Sequence, residues 1–287
     1  MDTHTGCLLS LNAFQIKIIA LITMTIDHIG AYQTFTSSQT VNDGLRIAGR
    51  IAAPLFLFMV TEGMRHTHNK PGYIFRLYAA GVIIELINSM IELYTRQPGP
   101  GNTLPAFFYT ALFIYCIERM IQQKQIQNNR SRVRTVLICS FGLLLPFLSY
   151  VLHVILSEHG FHNVWAVISV FFPSPMNVDY SILFVLMGIA WYFIHNSVIN
   201  SIILALLSLI CMLVPGSVFF TTQSVWFAPV FFGVYQLFIN TQWCMFLAAP
   251  FMLLYNGQKG RSLKYLFYIY YPLHVYILFF VQFFRNV

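Results

Sequence analysis

Three ionisable side chains, Lys17, Asp27 and His28, interrupt the first long apolar run, Leu11–Ala31. An ionisable group at the centre of a bilayer costs about 2.5–3.5 kcal/mol on insertion scales, so each of them needs a reason to be there. Lys17 and His28 are eleven positions apart. At 100° per residue that spacing returns to within about 20° of one helix face, over roughly 16 Å of rise. Such a stripe suits a long ligand with an anionic head and a reactive tail: Lys17 holds the charge near the headgroups, and His28 meets the tail deeper in the membrane. A neutral imidazole there is a general base. The plainer readings are a snorkelling anchor for Lys17 and a hydrogen-bonded core histidine for His28. Asp27 points about 100° away from His28 and must find its own partner, for which an arginine on another helix is better placed.

The second apolar run supplies two such arginines. Arg46 and Arg50 are four residues apart and share a helix face. Pro54, four residues after Arg50, weakens the helix and frees a carbonyl. Glu62 closes the run, and Arg46 and Glu62 also fit ordinary interfacial helix ends. Near the C-terminus, Tyr268-Ile269-Tyr270-Tyr271-Pro272-Leu273-His274 places Tyr, Pro and His early in the last apolar run. His274 is expected to face the same cavity as His28, and an interfacial tyrosine belt is the alternative. His153 lies in an apolar run without acidic neighbours and reads as structural. Asp179 precedes a helix and reads as a cap.

The elements that hold these residues must be membrane helices. Hydrophobic residues make up 57% of the 287, and charged residues 9%, against about 25% in a soluble domain. So few charges cannot cover the surface of a soluble domain of this size. The net charge of +7 sits in short segments between apolar runs, as the positive-inside rule expects, which argues against nucleic-acid binding. The five cysteines (7, 116, 139, 211 and 244) form no CxxC pair and read as small buried hydrophobes, with no metal site.

Segments near the roughly 20 residues that cross a bilayer fall at 12–34, 47–64, 74–93, 105–121, 135–156, 179–195, 197–215, 223–239, 241–256 and 265–284. The expected fold is all-α, a polytopic helical bundle of about nine to eleven spans forming a single domain over residues 1–287. Val164–Phe172 is too short to cross unaided. Basic segments at 64–76, 119–134 and 257–264 mark cytoplasmic loops and put the N-terminus in the cytoplasm. For the third of them to agree, an odd number of crossings must separate Ser157 from Asn256.

Taken together, several motifs resemble the TraX family. They are Lys17…Asp27-His28-Ile29-Gly30, then Gly49-Arg50-Ile51-Ala52-Ala53-Pro54-Leu55-Phe56, Glu62-Gly63, Tyr73…Arg76-Leu77 and Asp179-Tyr180. The series closes with Asn256-Gly257…Gly260…Lys264-Tyr265…Phe267-Tyr268…Tyr271-Pro272-Leu273-His274. That family is named for the F-pilin acetylase and is related to the wider transmembrane acyltransferases. In membrane members of acyltransferase family three, an Arg precedes the first-span His by a similar interval, and here Lys17 stands in place of that Arg. The change keeps the charge and loses bidentate phosphate binding. The resemblance implies transfer of an acetyl or other acyl group from cytosolic acyl-CoA, acetyl-CoA in the first case, to an amine or hydroxyl of a pilin or glycan acceptor, in the bacterial inner (cytoplasmic) membrane. Its implied catalytic set is His28, Asp27 and Arg50. Lys17, Arg46, Glu62, Arg76, Tyr271 and His274 are the implied contacts to acyl-CoA. A proton-coupled transporter or flippase uses the same residue types and is the alternative.

Overall fold

The computed structural model describes residues 10–123, 129–176, 178–213, 241–261 and 264–286. The described chain is helical, and its one strand-like feature is an isolated bridge between Leu11 and Tyr255. We number the helices α1 (Ala13–Ala31), α2 (Gln39–Gly49), α3 (Ala52–His66), α4 (Lys70–Thr95), α5 (Leu104–Gln122), α6 (Asn129–Glu158), α7 (His162–Phe171), α8 (Ser181–Phe193) and α9 (Ser197–Leu213). A 3-10 segment, Thr241–Ala248, leads into α10 (Ala249–Leu253), and α11 covers Lys264–Asn286.

Six stretches are long and apolar enough to cross a membrane: Ala13–Ala31, Gln39–His66, Lys70–Thr95, Leu104–Gln122, Asn129–Glu158 and Leu266–Arg285. Ser181–Phe193, Ser197–Leu213 and Thr241–Leu253 are shorter apolar helices. The fold is an all-α polytopic membrane bundle. Exposed Leu, Ile, Val and Phe line the outer faces, for example Leu137, Ile138, Phe141 and Leu144 on α6. In water such faces would be costly, and in lipid they are the expected covering. The expected span at 223–239 lies outside the described residues. Val164–Phe172 lies almost wholly within the ten-residue helix α7.

The second apolar run is broken: Arg50 and Ile51 separate α2 from α3. Pro54 falls in the first turn of α3, where its missing N–H costs least and leaves Arg50's carbonyl without the usual donor. The break turns the Arg50 side chain inward, and the residue is 9% exposed.

The chain divides into two compact units. The first holds the chain up to Met59, α9 and the C-terminal part, and the second holds Val60–Phe193. In the first unit, α1 and α11 run side by side in the same direction. Lys17 meets Phe267, Thr25 meets Tyr270, His28 meets His274 and Tyr32 meets Phe279. The connection into α11 is tied to the start of α1: Leu11 N donates to Leu254 O, Asn256 N to Leu11 O, and Ala13 N to Gln258 O, at 2.8–2.9 Å. Gly260 has φ +65°, and a Cβ there would fall 2.5 Å from Asn12 Oδ1, the cap of α1. The Asn256-Gly257…Gly260 motif therefore anchors the first helix. It also puts residues 257–261, with Lys259 and Arg261, at the same end of the unit as the start of α1.

Close packing between α1 and α2 depends on two glycines. A Cβ on Gly30 would lie 2.8 Å from Asn42 O, and one on Gly49 would lie 2.5 Å from Asp27 Cα. Either atom would push the helices apart. Replacing Gly49 with Ala is expected to cost about 1–3 kcal/mol. A clear drop in melting temperature of the detergent-solubilised protein checks it, and an unchanged melt would contradict the packing.

Candidate functional site

Four elements of the first unit converge on a buried polar cluster: α1, the α2–α3 break, the 3-10 segment and α11. Asp27 is 8% exposed. Its Oδ2 accepts from Arg46 Nη1 at 2.7 Å, and its Oδ1 accepts from Arg50 Nη2. Arg50 also donates from Nη1 to Gln242 Oε1 at 2.9 Å and from Nε to Arg46 O at 3.3 Å. A carboxylate held by two guanidinium groups, with an amide sharing one of them, suits burial because charges and lone pairs are met together. Arg46 keeps a third of its side chain exposed, whereas Arg50 is enclosed.

His28 follows Asp27 and faces α11. Its Nδ1 lies 3.1 Å from His274 Nε2. His274 is 7% exposed, and its Nδ1 donates to Tyr270 O at 2.8 Å, across one turn of α11. The Tyr270 ring stacks on His274 with centroids 5.0 Å apart, and Tyr271 stands 6.2 Å away. Thr25 Oγ1 uses its single proton on Leu21 O at 2.8 Å, so Tyr270 Oη donates to Thr25 across 2.8 Å. Beneath this polar layer Leu21, Met24 and Ala52 form an apolar cluster with Ile18, Phe56 and Phe267 around it.

His28 lies in the last turn of α1, not in its middle. It stands opposite the middle of α11, ten residues after Lys264 and twelve before Asn286. His28 is therefore near the end of α1 and level with the middle of α11. Lys17 shares the stripe facing α11, with Nζ 5.5 Å from the Phe267 ring centroid.

The structure brings together Asp27, His28, Arg46, Arg50, Tyr271 and His274, with Lys17 further along the same stripe. Glu62 and Arg76 belong to the second unit. Glu62 accepts from Arg65 Nη1 and lies 3.5 Å from His66 Nε2, and Arg65 Nη2 donates to Trp191 O and Tyr192 O. Arg76 lies over the Tyr73 ring at 5.9 Å, and its buried Nε has no hydrogen-bond partner among the described residues. Gln242 and Thr25 were not singled out from sequence. A lone Gln just before the apolar stretch Trp243–Leu254 is a weak signal, and Tyr270, one turn before His274, is a stronger one. A second ionic group was also missed: Lys70 Nζ to the Glu118 carboxylate at 2.5 and 2.7 Å, with Tyr192 Oη at 3.0 Å from Lys70.

Among the described residues no three His, Cys, Asp or Glu side chains converge as metal ligands. Among the described residues Cys116, Cys139, Cys211 and Cys244 are buried and form no disulfide, and Cys7 lies outside the described residues.

Asp179, outside the helices, borders a cavity of about 400 Å³ in the second unit, with Glu85, Asn88, Asn102, Tyr78 and Trp165. It does not form a simple cap, because Tyr180 just before α8 and Ser181, its first residue, both have φ near +65°. Burial, and then the Glu85 carboxylate, push the Asp179 acid up to about 6. Its unfolded value is near 3.9. The native state therefore binds this proton more tightly, and stability falls as pH rises from about 4 to about 6. Asp179→Asn is expected to flatten that part of the stability profile. Melting temperatures across pH 4–7 check it, and an unaltered slope would contradict it.

A helical membrane bundle with a buried Asp–Arg clamp beside a histidine pair is one class of polytopic membrane protein. The sequence profile of the TraX protein family matches residues 13–282, and this chain belongs to that family. It is 24% identical over 269 residues to the "Probable fimbrial assembly protein FimC, serogroup H1" of Dichelobacter nodosus, covering 93% of this chain and 94% of the relative. No solved structure matches.

Proposed function

We propose that this protein is a membrane acyltransferase that moves an acetyl or other acyl group from cytosolic acyl-CoA to an amine or hydroxyl of a pilin-like peptide or a glycan. The carrying observation is the His28–His274 contact at 3.1 Å, on the same helix stripe as Lys17 and next to the Asp27–Arg50 pair. Membership of the TraX family and similarity to a protein named for fimbrial assembly support a role connected with pili.

In this reading Lys17 attracts the anionic part of the donor, Arg46 contacts the donor nearer its acyl end, and the thioester reaches His28. The imidazole takes a proton from the acceptor as its nitrogen or oxygen bonds to the acyl carbon. The C–S bond then breaks, and the leaving thiolate receives the proton, giving CoA thiol and acylated acceptor. Arg50 stabilises the oxyanion or holds Asp27. The variant route passes through an acyl-His28 intermediate. Tyr271, beside the histidine pair, is the further proposed donor contact of the first unit. The inner membrane is the proposed location, with the start of α1 and the basic segment 257–264 in the cytoplasm.

Purified protein in proteoliposomes, given acetyl-labelled acetyl-CoA and an acceptor peptide or glycan, tests this. One labelled acceptor per CoA released is expected. Label on the protein before acceptor is added would select the acyl-His28 route. A proton-coupled transporter would release no CoA, and that result would overturn the proposal.

A further inference from the structure

We infer that His274 is a positioning residue that locks the tautomer of His28, leaving His28 Nε2 as the basic nitrogen. This deepens the acyltransferase reading and rests on it for its functional meaning, but the geometry stands alone. A backbone carbonyl can only accept, so the 2.8 Å contact from His274 Nδ1 to Tyr270 O fixes the His274 proton on Nδ1. In a neutral imidazole the other nitrogen then carries a lone pair, so His274 Nε2 is an acceptor. His28 Nδ1, 3.1 Å from that lone pair, must hold a hydrogen and donate it. The proton of neutral His28 is thereby placed on Nδ1, and its free lone pair falls on Nε2.

His28 also makes a hydrogen bond to the Met24 backbone, one turn earlier on α1, and Nε2 is the nitrogen that His274 leaves unengaged, so its lone pair is the one offered to an acceptor's proton. When His28 takes the proton it becomes an imidazolium that still donates from Nδ1 to His274. The order of donors, His28 to His274 to Tyr270 carbonyl, is unchanged through the step. Two further contacts keep His274 in place. Tyr270 stacks on its ring at an interplanar angle of 14°, and the Tyr270 hydroxyl is tied to Thr25 on α1. The same two helices that carry the histidines therefore also fix their separation. A histidine in the base position without such an orienting partner divides between two tautomers, and only one presents the lone pair to the substrate.

The test is nitrogen NMR on protein with ¹⁵N-labelled imidazoles in lipid, at a pH above the ordinary histidine range so that both rings are neutral. The His28 signals are assigned by their loss in His28→Ala. Wild type is expected to show His28 protonated at Nδ1 and bare at Nε2. His274→Leu removes the acceptor and should shift His28 toward the Nε2–H form. His274→Gln, whose side-chain oxygen can occupy the position of Nε2, should keep the wild-type pattern. A wild-type His28 carrying its proton on Nε2 would overturn the inference, whether or not the Leu variant folds. Kinetics form the second arm: kcat is expected to fall about tenfold or more in His274→Leu, with KM for acetyl-CoA nearly unchanged and most turnover kept in His274→Gln. Absence of acyl transfer in wild type with the expected NMR pattern would sink the enzymatic reading and leave the tautomer lock intact.

Discussion

His28→Ala is expected to lower acyl transfer by roughly 10²–10⁴-fold while the protein stays folded. The size follows from what the side chain does in the proposed step. Acceptor attack on a thioester needs a proton removed as the new bond forms, and the imidazole is the general base in the cluster. A hydroxyl acceptor should suffer more than an amine, because an N-terminal amine, with an ordinary value near 7.7–8.0, is already partly deprotonated near neutral pH. The loss should fall on kcat, with KM for acetyl-CoA nearly constant, since donor charge is held elsewhere along the stripe. Removing the ring takes away one hydrogen bond to His274, worth about 1 kcal/mol net, so a folded mutant is expected. Turnover assays beside a circular-dichroism melt separate the two effects. Wild-type turnover in His28→Ala would end its assignment as the base.

Asp27→Ala is expected to give the largest loss of stability of any single change in the first unit. It leaves two guanidinium groups without their shared carboxylate. Arg46 can turn its exposed third toward water, but Arg50 is 9% exposed and loses its carboxylate while keeping neutral acceptors such as Gln242 Oε1 and the Arg46 carbonyl. Breaking a buried pair by removing one partner costs about 3–5 kcal/mol. Adding Arg50→Leu to Asp27→Ala removes the stranded charge and should recover a large part of that loss, so the pair is non-additive. Unfolding curves of the four proteins in this cycle measure the coupling. Additive losses would show that Asp27 and Arg50 do not act as a unit.

Much of this arrangement was legible in the sequence, for definite reasons. Charges inside apolar runs are costly, so Asp27 demanded a cation, and Arg46 and Arg50 on one helix face were the nearest candidates. The eleven-residue interval gave the stripe on which Lys17 and His28 face α11. Helix bounds also came close, since the expected runs at 74–93 and 105–121 fall inside α4 and α5. What sequence could not supply was depth and neighbourhood. That α1 stops at Ala31, short of its longer partner α11, was not announced by any local pattern. Gln242 meets Arg50 across 192 residues of chain, and Lys70 meets Glu118 across 48. Such contacts carry no local periodicity. Glu62 and Arg76 were grouped with this site by residue type, and both lie in the second unit, where Glu62 closes an ionic group with Arg65.

The most direct test of the central claim is photolabelling from the cytosolic side with an acyl-CoA whose acyl chain carries a diazirine. The acyl end is expected to attach within α1 near His28 or within Tyr270–His274 on α11, and excess acetyl-CoA should suppress it. Attachment confined to other segments, with His28 and α11 untouched, would contradict delivery of the acyl group to this histidine.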